Sequence, residues 1–97
     1  MRKTHELIIF ARARADVKEI LRHTLQSWGE KKMLAYRDTL EAALERITEQ
    51  PLLGRIRGDV LMYPVEKHCI YYRISKTSIH VVRILHEKMD AQKNLPR

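Results

Sequence analysis

The sequence predicts an α+β domain of two layers, with a pair of helices packed on one face of an antiparallel sheet. A short β-prone segment opens the chain, two amphipathic segments of helical period follow, and the remainder is rich in β-branched and aromatic residues. Ninety-seven residues suit one domain, so we predict a single domain over residues 1–97. The predicted order is strand–helix–helix and then a meander of three antiparallel strands (β-α-α-β-β-β).

Residues 5–10 are short, apolar and β-prone, and they are predicted to form the first strand. From Arg14 the period becomes helical, and Asp16 and Glu19 are expected in the first turn, where the helix dipole favours acids. Gly29 is expected to end this helix. Its apolar stripe consists of Val17, Ile20, Leu21, Thr24, Leu25 and Trp28.

A second amphipathic helix follows almost at once, and Pro51 and Gly54 are expected to end it. Two such helices with so short a connection predict an antiparallel hairpin, which Trp28 and Tyr36 are expected to pin together near the connection. The Met and aromatic positions are read as core. The stripe of the second helix consists of Met33, Tyr36, Leu40, Ala43, Leu44 and Ile47.

The second half of the chain is predicted to hold three strands. Residues 52–58 are read as a basic turn, with Arg55 and Arg57 flanking Ile56. Residues 60–65 are read as a strand in which Pro64 indicates an edge or a bulge. Residues 67–74 and 79–86 are read as a hairpin. Residues from 88 onward are expected to be loosely held, with Pro96 excluding a regular end.

If residues 75–78 form the turn of this hairpin, facing residues have numbers that sum to 153. One face then carries mostly apolar residues and is expected to meet the helices: Ile70, Tyr72, Ile74, Ile79, Val81 and Arg83. The other face is expected to point outward and is mixed: Cys69, Tyr71, Arg73, His80, Val82, Ile84 and His86. A slip of one residue would invert both faces.

The net charge of +7 is uneven along the chain. Residues 30–50 hold five acids and four Lys or Arg, a balance of −1, so the rest carries about +8. This excess favours an anionic partner, nucleic acid or acidic protein, although a solvated basic surface is equally compatible. The single cysteine, Cys69, fits a reducing compartment and is read as a small buried hydrophobe. The apolar run after Arg2 and Lys3 spans only residues 7–11, too short for a signal peptide, and we predict a cytoplasmic protein without a membrane span.

Little in the sequence predicts a metal, cofactor or nucleophile. His80 and His86 share a strand face but lie about 20 Å apart at roughly 3.3 Å per residue. No Gly-rich phosphate loop or nucleophile elbow is present. General acid–base cleavage of RNA stays open, with His86, Arg73, Arg83 and Tyr71 as the candidate set. The alternative is that His86 caps the sheet and the arginines pair with acids.

Several short motifs in order resemble the ParE branch of the RelE/ParE superfamily of bacterial toxins. The first helix with Ala15-Asp16-Val17, Ile20 and Trp28-Gly29 resembles its A-D-[LV]-x-x-I … W-G pattern. Further matches are Pro51 with Gly54-Arg55 (P-x-x-G-R), residues 68–73 (H-x-I-x-Y-R), and residues 82–90 (V-R-[IV]-L-H-x-x-M-D). The matches cover nearly the whole chain.

The resemblance implies the toxin of a type II toxin–antitoxin system that inhibits DNA gyrase, blocks replication and growth, and is held inactive in a complex with a cognate antitoxin. The alternative from the other branch is a ribosome-dependent mRNA endoribonuclease, and a third hypothesis is an interaction module that has lost its toxicity. The ribonuclease branch gathers cations on the outward sheet face, and this chain has His68 where such an arginine is common. We therefore expect action by binding rather than catalysis. Candidate residues for contacting the target or the antitoxin are Arg55, Arg57, Tyr71, Arg73, His80, Val82, Ile84, His86 and Met89.

Overall fold

The computed structural model describes residues 5–95 and confirms the predicted α+β class and two layers. Three predictions fall on residues outside this range, namely those for Arg2, Lys3 and Pro96. The elements are β1 (Glu6–Ile9), α1 (Ala11–Trp28), α2 (Glu30–Glu49), a 3₁₀ turn (Pro51–Leu53), β2 (Arg55–Arg57), β3 (Val60–Val65), β4 (His68–Ile74), β5 (Ser78–His86) and the short helix α3 (Ala91–Asn94).

The sheet has five strands in the order β1-β5-β4-β3-β2, and it is mixed rather than wholly antiparallel. β1 pairs parallel to β5, which the long connection between them permits. The predicted basic turn at residues 52–58 instead contains β2, which pairs with β3 from Arg55↔Met62 to Arg57↔Val60. Pro64 lies in the part of β3 that β2 does not cover, which agrees with the predicted edge position.

The first helix begins at Ala11, three residues earlier than predicted, so Asp16 and Glu19 lie beyond its first turn. Their carboxylates do not serve the helix dipole. Glu19 pairs with Arg22 on the surface, and Asp16 binds a residue of β5, as described below. Within residues 5–95, neither long helix is apolar enough over a sufficient length to cross a bilayer.

Gly29 alone separates α1 from α2 and has a positive φ of 90°, a conformation that glycine adopts readily. The buried residues of α2 all lie in its second half, and those of α1 are Ala13 and Ile20. The helix ends next to Gly29 therefore extend beyond the core. Trp28 is 70% exposed, so the prediction that it pins the hairpin is wrong. Tyr36 reaches the sheet instead.

Apolar side chains are buried on both faces of the sheet. The inner cluster, between the helices and the sheet, includes Ile47, Ile70, Tyr72, Ile79 and Ile84. The outer cluster lies on the opposite face and consists of Val60, Met62, Tyr71, Val82 and Leu85, against which Cys69, Ala91 and Leu95 pack. The chain after residue 88, predicted to be loosely held, thus covers part of the outer face and forms α3.

The predicted register of the last hairpin is correct next to its turn and wrong beyond it. Ile74↔Ile79, Arg73↔His80 and Tyr72↔Val81 pair as expected. A bulge follows, so that Tyr71 pairs with Arg83 and Ile70 with Ile84. One extra residue on β5 reverses the faces of the residues after it. Ile84 therefore packs in the inner cluster against the helices, whereas Arg83 pairs with Tyr71 of the outer cluster.

Candidate functional site

Among residues 5–95, the most exposed large apolar side chains lie in the segment of residues 51–57, which we call the projecting segment. Leu52 is 82% exposed and Ile56 is 81% exposed. Arg55 and Arg57 flank Ile56 and are exposed as well. Burial of such side chains normally contributes about 1.5–3 kcal/mol each, so holding them in water is unfavourable for an isolated molecule.

A fully buried tyrosine fixes the start of the projecting segment. The hydroxyl of Tyr72 donates to the carbonyl oxygen of Pro51 at 2.7 Å and accepts from the backbone N–H of Gly54 at 2.9 Å. A Cβ at position 54 would lie 2.6 Å from this hydroxyl oxygen, so only glycine fits there. Burial raises the pKa of Tyr72, which keeps the phenol protonated and able to donate.

The two faces of β2 differ in character. Arg55 and Arg57 pair with Met62 and Val60, which belong to the outer cluster. Ile56 pairs with Leu61, which packs on the inner cluster. Facing residues in adjacent strands share a side of the sheet, so β2 carries its cations on the outer face and its apolar residue on the inner face.

A groove of about 820 Å³ lies on the outer face between the turn after β2 and the C-terminal segment. Its walls include Arg57, Cys69, Tyr71 and Glu87. Burial raises the pKa of the Cys69 thiol and of the Tyr71 phenol, with a further contribution from Glu87 at Cys69. A thiol with a raised pKa is a poor nucleophile, which supports the apolar packing role predicted for Cys69.

Three of the predicted contact residues are buried, so they offer little surface to a binding partner. Val82 and Ile84 are 1% and 2% exposed, because Val82 lies in the outer cluster and the bulge turns Ile84 toward the helices. Tyr71 is also buried, in the outer cluster. His80 is half-buried and stacks on Phe10 with ring centroids 5.7 Å apart.

Two other candidates remain accessible. Arg73 forms an ion pair with Asp59 at 3.4 Å, and a third of its side chain is exposed. Met89 is exposed, and its backbone N–H donates to the carbonyl oxygen of His86 at 2.9 Å.

Arg83 is held in a buried clamp that joins three parts of the chain. Its Nε and Nη2 donate to the carboxylate of Asp16 on α1 at 2.7 and 2.9 Å, and its Nη1 donates to the carbonyl oxygen of Asn94 at 2.8 Å. Oδ2 of Asp16 also accepts from the N–H of Ile84 at 2.9 Å. The hydrogen bond to Asp16 raises the pKa of Arg83. Arg83 therefore connects α1, β5 and the C-terminal segment, with each of its three nitrogens donating one hydrogen bond.

A histidine pair lies at the end of the sheet opposite the last hairpin turn. His68 faces His86 across β4 and β5, with ring centroids 5.3 Å apart. Nδ1 of His68 lies 2.6 Å from the hydroxyl oxygen of Tyr36, which in turn donates to the carbonyl oxygen of Val65 at 3.2 Å. A phenol has a single proton to donate. If Tyr36 donates it to Val65, the 2.6 Å bond must be donated by Nδ1–H of His68 to the hydroxyl oxygen of Tyr36.

Burial and the neighbouring imidazole of His86 lower the pKa of His68, and burial together with the nearby Glu66 carboxylate raises the pKa of Tyr36 to about 12. The N–H of Lys88 donates to Nδ1 of His86 at 3.1 Å, so a neutral His86 carries its proton on Nε2. That tautomer offers no free nitrogen lone pair to a metal. Among residues 5–95 no three His, Cys, Asp or Glu side chains are grouped as ligands. His68 and Tyr36 were missed as a polar pair, because only the fold brings α2 to this strand end.

The residues proposed for RNA cleavage do not converge. Arg73 pairs with His80, and His86 lies six residues further along β5, about 20 Å away at roughly 3.3 Å per residue. Arg83 is committed to Asp16, and Tyr71 lies in the outer cluster. Acid–base catalysis needs its groups within about 3 Å of the reacting atoms, so this set is not assembled as a catalytic site.

The exposed side of α1 forms a second candidate surface. Leu25 and Trp28 stand out from its C-terminal half. A shallow, mostly apolar groove of about 500 Å³ lies beside its N-terminal half and is lined by Ala11, Arg14, Ala15, Val17, Lys18 and Leu21. Exposed apolar side chains with cations along one helix suit an amphipathic partner helix of acidic character.

Two solved structures share this arrangement of strands and helices. A chain of the chromosomal ParDE toxin–antitoxin system from P. aeruginosa superposes with a TM-score of 0.75 at 18% identity, covering 86% of this chain and 96% of the other. A chain of the toxin–antitoxin complex RelBE2 from Mycobacterium tuberculosis superposes with a TM-score of 0.62 at 17% identity, covering 89% and 94%. The chain therefore shares the fold of these two chains.

The sequence comparisons are more specific. The family model described as "ParE toxin of type II toxin-antitoxin system, parDE" matches residues 7–91. Toxin ParE1 of Caulobacter vibrioides is 30% identical over 88 residues, covering 87% of this chain and 91% of that protein. Toxin ParE1 of Mycobacterium tuberculosis is 33% identical over 88 residues, covering 86% and 90%. The chain belongs to the ParE family of type II toxin–antitoxin toxins.

Proposed function

We propose that this toxin inhibits DNA gyrase, blocks replication and growth, and is neutralised in a complex with a cognate antitoxin. Membership of the ParE family carries the proposal, because the match extends over nearly the whole chain. The scattered ribonuclease set supports it further, since Arg83 is buried in a structural clamp rather than aimed at a substrate. A cytoplasmic location belongs to the same proposal, because gyrase acts there.

The toxin acts by occupying a surface of gyrase. The projecting segment is the best candidate for this contact, since it combines exposed apolar and cationic side chains on a backbone held by Tyr72. Arginine is enriched among the residues that dominate binding energy at interfaces, and a backbone that is already held in place lowers the entropic cost of binding. Met89, exposed after the end of β5, is a second candidate.

The antitoxin is proposed to lie along α1. Leu25, Trp28 and the groove beside the N-terminal half of the helix form an apolar strip, and Arg14 and Lys18 supply cations along it. A segment of an acidic antitoxin that folds into a helix on binding would cover the strip and reduce the net charge of +7. Both solved neighbours are named as parts of toxin–antitoxin systems, which supports a partner of this kind.

A supercoiling assay with purified toxin and gyrase tests the gyrase proposal. We expect the toxin to inhibit supercoiling and to accumulate cleaved DNA, and we expect prior addition of the antitoxin to prevent both. The variant Ile56→Asp should inhibit less. Arg37→Gln serves as the surface control, because Arg37 lies on α2 and pairs only with its neighbour Asp38 in the described structure. Unchanged supercoiling with no cleaved DNA would refute the proposal.

The endoribonuclease alternative retains one supporting observation, the histidine pair at the end of β4 and β5. It predicts rapid arrest of translation and mRNA cut within codons. Expression of His86→Ala without the antitoxin separates the two functions: retained toxicity with filamentous cells and a DNA damage response contradicts catalysis by His86. A wild-type chain that leaves growth unaffected would instead indicate an interaction module without toxicity.

A further inference from the structure

We propose that the free edge of β2 binds an acidic, extended segment of a partner protein as an added strand. In this arrangement, acidic side chains of the partner face Arg55 and Arg57, and an apolar side chain faces Ile56. The inference goes beyond gyrase inhibition and does not depend on it, because it concerns the chemistry that this edge recognises.

The position of β2 supplies the first argument. β2 is the last strand of the sheet, so one side of its backbone has no neighbouring strand among residues 5–95. All three of its residues are exposed. Unpaired backbone N–H and C=O groups at a sheet edge are a template for another strand.

The two edges of the sheet differ in a way that supports binding at β2. At the opposite edge, Nε of Arg14 donates to the carbonyl oxygen of Ile9 at 3.1 Å and covers part of β1. Within the described residues, no side chain donates to the backbone of β2 in this way. Charged side chains and short length are common protections of an edge, and Arg55 and Arg57 fit that role. Protection does not explain Ile56, which is 81% exposed at the centre of the strand.

Preorganisation is the second argument. The hydroxyl of Tyr72 binds both Pro51 and Gly54, which fixes the backbone that leads directly into β2. Binding of a partner strand therefore costs the toxin little conformational entropy, so backbone pairing over even three residues can contribute to the affinity.

The alternation of side chains defines the partner. A residue of an added strand lies on the same face as the residue opposite it. Acidic residues opposite Arg55 and Arg57 would lie on the outer face, and an apolar residue opposite Ile56 would lie on the inner face. The motif is therefore acidic–apolar–acidic.

A second copy of this chain fits the edge poorly. Two β2 strands paired about a two-fold axis would place Arg55 opposite Arg57 of the partner copy, and like charges directly opposite each other are destabilising. The net charge of +7 opposes self-association as well.

Binding of four labelled peptides of about seven residues to the whole toxin tests the inference by fluorescence polarisation. The first alternates Glu and Val. The second has the same composition with Glu and Val in separate blocks, so no register offers the acidic–apolar–acidic motif. The third and fourth are the alternating peptide, N-methylated along one edge of the strand or along the other. We expect the alternating peptide to bind on the order of tenfold more tightly than the block peptide, from two cross-strand charge pairs. N-methylation should abolish binding along one edge only.

Variants of the toxin provide the matched control. The double variant Arg55→Glu, Arg57→Glu should no longer bind the alternating Glu–Val peptide and should bind an alternating Lys–Val peptide instead. The double variant Arg37→Glu, Lys31→Glu makes the same charge change on α2 and should leave the binding of both peptides unchanged. Equal binding of alternating and block peptides, equal effects of both N-methylation patterns, or self-association in place of peptide binding would each overturn the inference. Loss of gyrase inhibition alone would not, because the peptides are measured on the toxin by itself.

Discussion

Replacing Asp16 by alanine should strongly destabilise the fold, because Asp16 is the partner of a buried cation. The side chains of Arg83 and Asp16 are 9% and 14% exposed, so little water can take over the lost contacts. The substitution removes both bonds to the guanidinium and leaves the N–H of Ile84 without an acceptor. Breaking one side of a buried ion pair costs about 3–5 kcal/mol.

This loss is large beside the total stability of such a domain. At about 0.05–0.15 kcal/mol per residue, the chain has roughly 5–15 kcal/mol in all. Each kcal/mol shifts the Tm of a small domain by about 4–8 °C, so a loss near 4 kcal/mol lowers the Tm by about 20 °C or more. Calorimetry and urea denaturation measure both quantities.

Two further variants distinguish this cause from general damage to α1. Glu19→Ala removes an exposed ion pair to Arg22 on the same helix, and it should leave the Tm essentially unchanged. Asp16→Leu combined with Arg83→Met replaces the buried pair by apolar side chains and should recover the part of the loss that comes from the unpaired guanidinium, although the N–H of Ile84 still lacks its acceptor. An Asp16→Ala protein that melts within a few degrees of the unmodified chain, or a double variant no more stable than Asp16→Ala, would refute the reasoning.

Three other expectations can be tested with the same proteins. Tyr72→Phe removes the hydroxyl bound to Pro51 and Gly54 and should cost about 1–3 kcal/mol in urea denaturation, and an unchanged midpoint would contradict the anchoring role. The pKa of His68 in the folded protein lies below its unfolded value of 6.5, so the unfolded chain binds more protons near that pH. The free energy of unfolding should therefore fall as the pH drops through 6.5. In the variant His68→Asn, the free energy of unfolding should depend less on pH between pH 5 and 8. Trp28→Ala should leave the Tm within a degree or two yet weaken antitoxin binding measured by calorimetry, and a large loss of stability would show that the ring packs in the core.

The layers of the fold were predictable because they follow from local periodicity. The helical stripes, Gly29 and the turn near residues 75–78 are all visible in the sequence, and the register next to that turn is correct. Periodicity gives no strand direction, so the parallel pairing of β1 was missed. β2 was read as a turn because three residues of the pattern Arg-Ile-Arg show too little alternation to indicate a strand.

The site was less predictable because it depends on contacts between distant residues. Val81 and Val82 are both apolar and both buried, so nothing in the pattern shows that one of them is an extra residue in the ladder. The bulge then decides which side chains of β5 face outward. The bond from Arg83 to Asp16 joins residues 67 apart, and a single sequence shows no sign of it. Trp28 was assigned to the core from its stripe alone, although the helix extends past the sheet there.

The parallel pairing of β1 with β5 makes the sheet depend on contacts between distant parts of the chain. Glu6 pairs with Ser78, so β1 gains its neighbouring strand only when β5 is in place. The inner core also includes Ile79, Val81 and Ile84 from the same strand. Contacts of such long sequence separation form late and slowly. We therefore expect a chain interrupted before β5 to lack both the complete sheet and the inner core, and with them any defined binding surface.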